Sequence, residues 1–403
     1  MNAPLVVQFL RSGGTIADLA STRGITSKRH NKYSNLVLLK YNQIESPMGD
    51  PIVRECRGII LDETDNWKVI SRSFDKFFNY GETHAVEINW SKASVQEKVD
   101  GSLMTVYAYD GAWHVSTTGT PDASGTVHYT SASGLWLPRP GLQFPMPASF
   151  AEYFWQTCSL YPELPFNEQR VGDPWRNFSW MFELTGPLNR VVIPHTEAHI
   201  TLLGARDPST GRELSLGAAE RMLNLTVPAV RSFPLVSVED IMRTFGTFSP
   251  LVQEGYVIHD GDGRMKTKHP GYVAIHYAKD GFTTRNLINI VKNGEVAEVF
   301  AAALMTAFPG MDPKDIPEVF NTFPDLMHQL DEIRKRFNLL VQITDSDFAA
   351  YRHLTPKKIF AEAIKDMLHK SALFKMYDGK VTSAQAYYAT RSADQLIHLL
   401  GYK

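Results

Sequence analysis

Lys98-Val99-Asp100-Gly101-Ser102 is the stretch that most restricts what this chain can build. Asp-Gly is a strong turn signal, and the apolar, β-prone run Leu103-Met104-Thr105-Val106-Tyr107 follows it at once. The lysine, two residues before the turn, therefore stands at the mouth of a strand pair. A lysine so held can attack a phosphorus atom, provided that it is neutral and other cations hold the phosphates. The same five residues also suit an ordinary hairpin with a solvated lysine, so the remainder of the chain must decide.

At 403 residues there is room for two domains with real cores. Hydrophobic residues make up 43% and charged residues 21%, an ordinary balance for a globular protein. No uninterrupted apolar run approaches bilayer length, and Met1-Asn2-Ala3-Pro4 does not begin a signal peptide. Two cysteines, Cys56 and Cys158, without metal-ligand spacing, suggest a reduced, cytosolic protein lacking a disulfide framework. The formal charge of −2 means that a nucleic-acid partner would need a local basic groove.

Up to about residue 280, short apolar or β-branched runs are punctuated by Gly, Pro, Asp and Asn. They include Arg57 to Asp62, Leu103 to Tyr109, Ser179 to Glu183, Val191 to Ile193 and Gly255 to His259. Helices are expected over Ala148 to Leu160 and Ala218 to Leu225, and a long loop over Thr120 to Pro147. After about 281 the texture turns helical. Val296 to Phe308 is Ala-rich, and Asn286 to Lys292, Asp325 to Leu340, Pro356 to His369 and Ser383 to Leu400 carry helical signals. The expectation is an α+β domain over 1–280 followed by an all-α domain over 281–403.

Five further clusters put charged residues in or beside β-type runs, a costly placement unless the charges line a cleft. Glu55-Cys56-Arg57-Gly58-Ile59 sets an arginine before a strand, and Asp75-Lys76-Phe77-Phe78-Asn79 sets a lysine ahead of two aromatics. Phe182-Glu183-Leu184 and Glu254-Gly255-Tyr256-Val257 place carboxylates beside apolar neighbours. In Met265-Lys266-Thr267-Lys268 the two lysines alternate, so a strand would turn both to one face.

In order and residue type, these clusters resemble the covalent nucleotidyltransferases, and within them the bacteriophage RNA ligase 1 family. The resemblance spans roughly residues 38 to 277. It rests on Lys40-Tyr41-Asn42, the Glu-Cys-Arg-Gly-Ile run, Lys76 to Asn79, the Lys98 motif, Glu183 with Asn189-Arg190, Glu254 to Val257, and Lys266-Thr267-Lys268 followed by Tyr272-Val273. It implies a nucleotidyltransferase (adenylyltransferase) domain of antiparallel sheets with flanking helices. It further implies an ATP-dependent ligase that joins RNA 5′-phosphate and 3′-hydroxyl ends in RNA or tRNA repair, in the cytoplasm of a phage-infected bacterial cell.

On that resemblance, Lys98 attacks the α-phosphorus of ATP and forms a lysyl–AMP. A lysine of ordinary pKa, about 10.4, is almost wholly protonated at pH 7, so Lys266, Lys268 and Mg²⁺ (or Mn²⁺) are expected to lower its pKa and steady the phosphates. Arg57 and Lys76 would hold phosphate groups. The resemblance gives Glu97 a place in the nucleotide site, Glu183 the ribose hydroxyls, Glu254 a metal contact, and Tyr41 and Val257 the border of the nucleoside. Glu295 and Glu298 are secondary metal candidates. The implied partners are ATP and single-stranded RNA or a cleaved tRNA, with no membrane and a monomeric chain. Lys357, Lys358 and Arg391 are candidate phosphate contacts in the helical region.

One departure stands out. The family usually carries a basic residue about twenty positions after the nucleophile, and here Ser116-Thr117-Thr118-Gly119-Thr120 offers Thr118 instead. A hydroxyl can hydrogen-bond a phosphate but supplies no charge. The competing readings are a DNA ligase or RNA-capping enzyme, disfavoured because the chain turns helical where those append a β-barrel, and a degenerate nucleotide- or RNA-binding module. The absence of a Gly-x-x-x-x-Gly-Lys-Ser/Thr loop disfavours a phosphate-cradling NTPase.

Overall fold

The computed structural model describes residues 3–127, 146–167, 174–224, 226–269, 271–273, 276, 283–293 and 324–402. The chain divides into two compact units between Tyr272 and Val273, somewhat before the change of texture in the sequence. The helical run Val296 to Phe308, Glu295, Glu298 and most of the loop from 120 to 147 lie outside the described residues.

The first unit holds three sheets. The first is an antiparallel meander of β1 (Ile25–Arg29), β2 (Leu36–Tyr41), β3 (Arg57–Asp62) and β4 (Lys68–Ser71). Period-two alternation gives β2 two buried faces. Val37, Leu39 and Tyr41 pack with Val6, Leu10 and Leu19 of the N-terminal helices Leu5–Arg11 and Ile16–Arg23. Leu36 and Leu38 turn the other way, against Ile60 and Tyr107. The second helix starts at a capping box in which Thr15 and Asp18 satisfy each other's end of the turn.

The second sheet has the order β10-β9-β7-β8, from β7 (Ser102–Tyr109), β8 (Ala112–Thr117), β9 (Ser179–Thr185) and β10 (His199–Arg206). Trp180, Phe182 and Leu184 of β9 form its core with Phe154 of helix Phe150–Cys158 and Ala219 of helix Leu216–Met222. The third sheet, β11-β6-β12-β13-β5, contains β5 (Phe78–Asn79), β6 (Ser94–Lys98), β11 (Ser232–Phe233), β12 (Gly255–His259) and β13 (Arg264–Lys268). Its inner face, Val95, Tyr256, Ile258 and Met265, packs on Ile241 of helix Val238–Thr244. One pair departs from the antiparallel expectation: β13 runs parallel to β5.

Two local expectations change. β6 and β7 belong to different sheets, so the Asp100-Gly101 turn is a crossover between sheets and not a hairpin. Val191-Val192-Ile193 is not a strand but a bend, because two of its N–H groups bond to a side chain instead of a neighbouring strand.

The second unit is helical where described: Thr284–Asn293, Pro324–Tyr351, Lys357–Ile364, Lys370–Tyr377, Ala384–Ala389 and Ala393–Leu399. Leu287, Ile333, Phe337, Tyr388 and Leu396 meet in its core, and Thr344 Oγ1 bonds to the buried Tyr388 hydroxyl at 2.9 Å. The pattern from Ser383 to Leu400 is two helices, since Ser392 opens a new one with a capping box to Gln395.

Candidate active site

The walls of a cavity of about 540 Å³ bring together Arg57, Lys98, Glu183, Val257, Lys266 and Lys268. Strand register explains the convergence. Gly255 pairs with Lys98 on one side and with Lys268 on the other, and Val257 pairs with Lys266. The carboxylate one residue ahead, Glu254, thus falls between two lysines. Lys98 Nζ donates to its Oε2 at 2.7 Å and Lys268 Nζ to its Oε1 at 2.8 Å. Glu254 is 2% exposed and Lys98 22%, so both charges of this bond are largely withdrawn from water.

The turn after Lys98 is fixed on every side. Asp100 Oδ2 accepts from the N–H groups of Val192 and Ile193 at 2.9 and 2.6 Å, and Oδ1 accepts from the Tyr272 hydroxyl at 2.6 Å. At Gly101 a Cβ would sit 2.4 Å from the Leu184 carbonyl oxygen, so no larger residue fits. Asn189 spans the same crossing, donating to Ser102 Oγ and the Leu184 carbonyl.

The electrostatics correct one expectation. Burial works against the charge on Lys98, but Glu254 and Glu183 more than offset it, and its pKa is raised rather than lowered. The depressed lysine is Lys266, brought down to about 7 by burial and by Lys98, Lys76, Lys268 and Arg57. Burial, reinforced by Glu254 and opposed by Lys98 and Arg57, pushes the Glu183 carboxyl up to about 8.

Other residues stand differently from their sequence assignments. Tyr41 is buried in the core beneath the first sheet rather than in the cavity wall, and Lys76 Nζ lies 5.4 Å from its ring and 5.3 Å from that of Phe78. The segment before Lys76 is anchored by Asp75, which accepts from Arg72 at 2.9 Å and Arg206 at 3.0 Å. Arg57 turns its guanidinium over Phe77 and donates weakly to the Phe74 carbonyl at 3.4 Å. Glu97 lines the cavity and pairs with Arg231 at 2.7 Å. Arg190 donates Nε to the Val192 carbonyl. In the helical unit Lys357 pairs with Asp378, Arg391 covers the Tyr387 ring and Lys358 is exposed.

Sequence reasoning assigned no role to Lys40, Gln96 or Arg264, which also line the cavity. Lys40 precedes Tyr41 on β2, and strand parity alone separates their two faces. Among the described residues no group of three or more His, Cys, Asp and Glu side chains could hold a metal ion. Glu254 spends both oxygens on Lys98 and Lys268, so it would take a hard divalent cation once Lys98 releases it, the other ligands coming from phosphates and water.

A lysine that ends a strand, the carboxylate that holds it and further cations thus stand around one cavity. Residues 55–272 match the RNA ligase family, and the chain belongs to that family. An RNA ligase of Rhodothermus phage RM378 is 29% identical over 290 residues, covering 58% of this chain and 63% of the phage protein. A protein of Autographa californica nuclear polyhedrosis virus, whose name couples a polynucleotide kinase to an RNA ligase, is 27% identical over 370 residues, 86% of this chain and 49% of its own. The chain thus spans less than two thirds of the length of either relative. Among solved structures, an archaeal ATP-dependent RNA ligase aligns over 84% of this chain and 83% of its own at 14% identity and a TM-score of 0.44. No helix among the described residues is long and apolar enough to cross a membrane.

Proposed function

We propose that the protein is an ATP-dependent RNA ligase that joins a 5′-phosphate to a 3′-hydroxyl through a lysyl–AMP and an RNA-adenylate. The observation that carries this reading is Lys98, held by Glu254 at the edge of a cavity rich in cations. Lys98 Nζ gives up one proton to become a nucleophile. It forms a bond to the α-phosphorus of ATP while the bond from that phosphorus to the bridging oxygen breaks, and pyrophosphate leaves with the electron pair. A second proton leaves the nitrogen, giving a phosphoramidate whose nitrogen is neutral and whose phosphoryl group keeps one negative charge. Lys266, Lys268 and Arg57 face the charge that develops on the phosphates. Glu183, neutral at pH 7 by its raised pKa, offers both a donor and an acceptor to the ribose hydroxyls. Glu254, once released by Lys98, would hold Mg²⁺ or Mn²⁺, which supplies Lewis-acid polarisation of the phosphates when bound.

AMP then passes to an RNA 5′-phosphate, and the 3′-hydroxyl of the other end displaces it. In this reading residues 1–280 perform adenylylation and the helical region 281–403 selects the RNA, a single strand or a cleaved tRNA, in repair. Lys358 and Arg391 remain its candidate phosphate contacts, while Lys357 is already paired with Asp378. The test is incubation of AMP-free protein with α-labelled ATP and Mg²⁺. Acid-labile, hydroxylamine-sensitive label on Lys98, followed by circularisation of 5′-phosphorylated RNA, is expected. Absence of label on the parent protein refutes the reading.

A further inference from the structure

Lys40 and Arg57 are direct cross-strand partners on β2 and β3. Two like charges at that position repel, and the pairing is unfavourable unless something negative lies against it. Neither side chain forms an ion pair with a carboxylate among the described residues. Both line the cavity. On the wall formed by the third sheet the matter is different, since Lys98 and Lys268 share Glu254.

Close backbone contacts surround this pair. The register slips between Leu39 and Lys40, and Gly58 occupies the slip with φ +88, as a β-bulge requires. A Cβ on Gly58 would lie 2.9 Å from Thr118 Cα, so the start of β3 is seated on the backbone of the turn after β8. That turn is closed by Thr117 Oγ1, which accepts from the N–H groups of Gly119 and Thr120 at 3.2 and 3.1 Å. Strand parity aims Lys40 at it: Leu36 and Leu38 on the same face pack against Tyr107 of the second sheet. Lys40 Nζ reaches within 3.5 Å of where a Cβ on Gly119 would stand.

We propose that Lys40, paired with Arg57, is a binding residue for the pyrophosphate end of the nucleotide, supplying the cation in a corner where Thr118 brings only a hydroxyl. The assignment rests on the reading that Lys98 attacks the α-phosphorus. In-line displacement puts the leaving group opposite the attacking nitrogen. Among the described residues neither the lysine nor the arginine of the first sheet is in an ion pair, and both stand on a wall separate from that of Lys98. Loss of Lys40 also relieves the repulsion on Arg57, so the fold should tolerate it.

Pyrophosphate and AMP binding, measured separately by calorimetry on the full chain, test the assignment. Loss of a charge-assisted hydrogen bond means that Lys40→Ala should weaken pyrophosphate binding about 10- to 100-fold and AMP binding much less. Lys40→Arg should hold most of the affinity. Adding Thr118→Lys to Lys40→Ala should restore it, which a merely structural role for Lys40 would not do. Equal losses for AMP and pyrophosphate, or no loss, overturn the assignment. Lys40→Met serves in the same assay should the alanine variant fail to fold. Label transfer to Lys98 in the parent is scored in parallel. A parent that takes no label while its pyrophosphate affinity depends on Lys40 would defeat the ligase reading and leave the anion clamp standing.

Discussion

Lys98 and Glu254, 156 residues apart in the chain, meet at 2.7 Å, and the bond favours the protonated form of the lysine, which is no nucleophile. On the proposed reading, adenylylation therefore begins by loosening this pair. Glu254→Gln removes the opposing charge and lowers the proton affinity of Lys98. At pH 8 an amine-reactive acylating reagent should modify Lys98 at least about threefold faster in the variant, by mass spectrometry of the digested protein. Label transfer from ATP should nonetheless fall about 100-fold, because Lys268 loses its anchor and the phosphates lose a fixed charge. An unchanged acylation rate would show that Glu254 does not control the proton on Lys98.

Lys266 has a pKa of about 7 in the folded chain, against about 10.4 for a free lysine. Between those values the unfolded chain holds the extra proton, so stability rises with pH across that window and is lowest below it. Lys266→Met should flatten this slope in thermal melts taken from pH 7 to 10. At pH 8 the binding of a polyphosphate should draw a proton onto Lys266. Calorimetry in buffers of different ionisation enthalpy should find that uptake in the parent and lose most of it in the variant.

Glu183 titrates near 8 when folded and about 4.3 when unfolded, so the folded chain holds the extra proton between the two. Stability accordingly falls as pH rises through that range. Glu183→Gln cannot ionise. Its urea midpoint should match that of the parent at pH 4, exceed it increasingly up to pH 8 and level off above. Parallel curves would place Glu183 in a more polar setting than the one described.

Gly58→Ala would put a Cβ 2.9 Å from Thr118 Cα at a backbone angle of φ +88. The strain should cost about 1–3 kcal/mol, read from urea unfolding. Because the turn beside Lys40 would shift, pyrophosphate affinity should drop as well. A fully stable variant with parental affinity would mean that the two segments are not locked together.

Much of the local structure was legible. The alternation Lys266-Thr267-Lys268 put both lysines on one face, and period-three and period-four apolar spacing marked most of the C-terminal helices. Contacts set by long-range register were not legible. Nothing near Glu254 in sequence announces that strands on both sides of Gly255 each present a lysine. Without that pairing, the proton affinity of Lys98 took the wrong sign. Tyr41 and Lys40 illustrate the same limit from the other direction. Adjacent residues on one strand face opposite sides, and only the tertiary partners decide which of the two sees the cavity.

The ties on Asp100 reach forward to Val192, Ile193 and Tyr272, the last of them 172 residues downstream. A chain still emerging from the ribosome thus carries its reactive lysine long before it has the parts that aim it. Until Tyr272 is out and seated, the buried carboxylate lacks the last of its three donors. On the proposed reading, charging with a nucleotide then waits for the finished first unit.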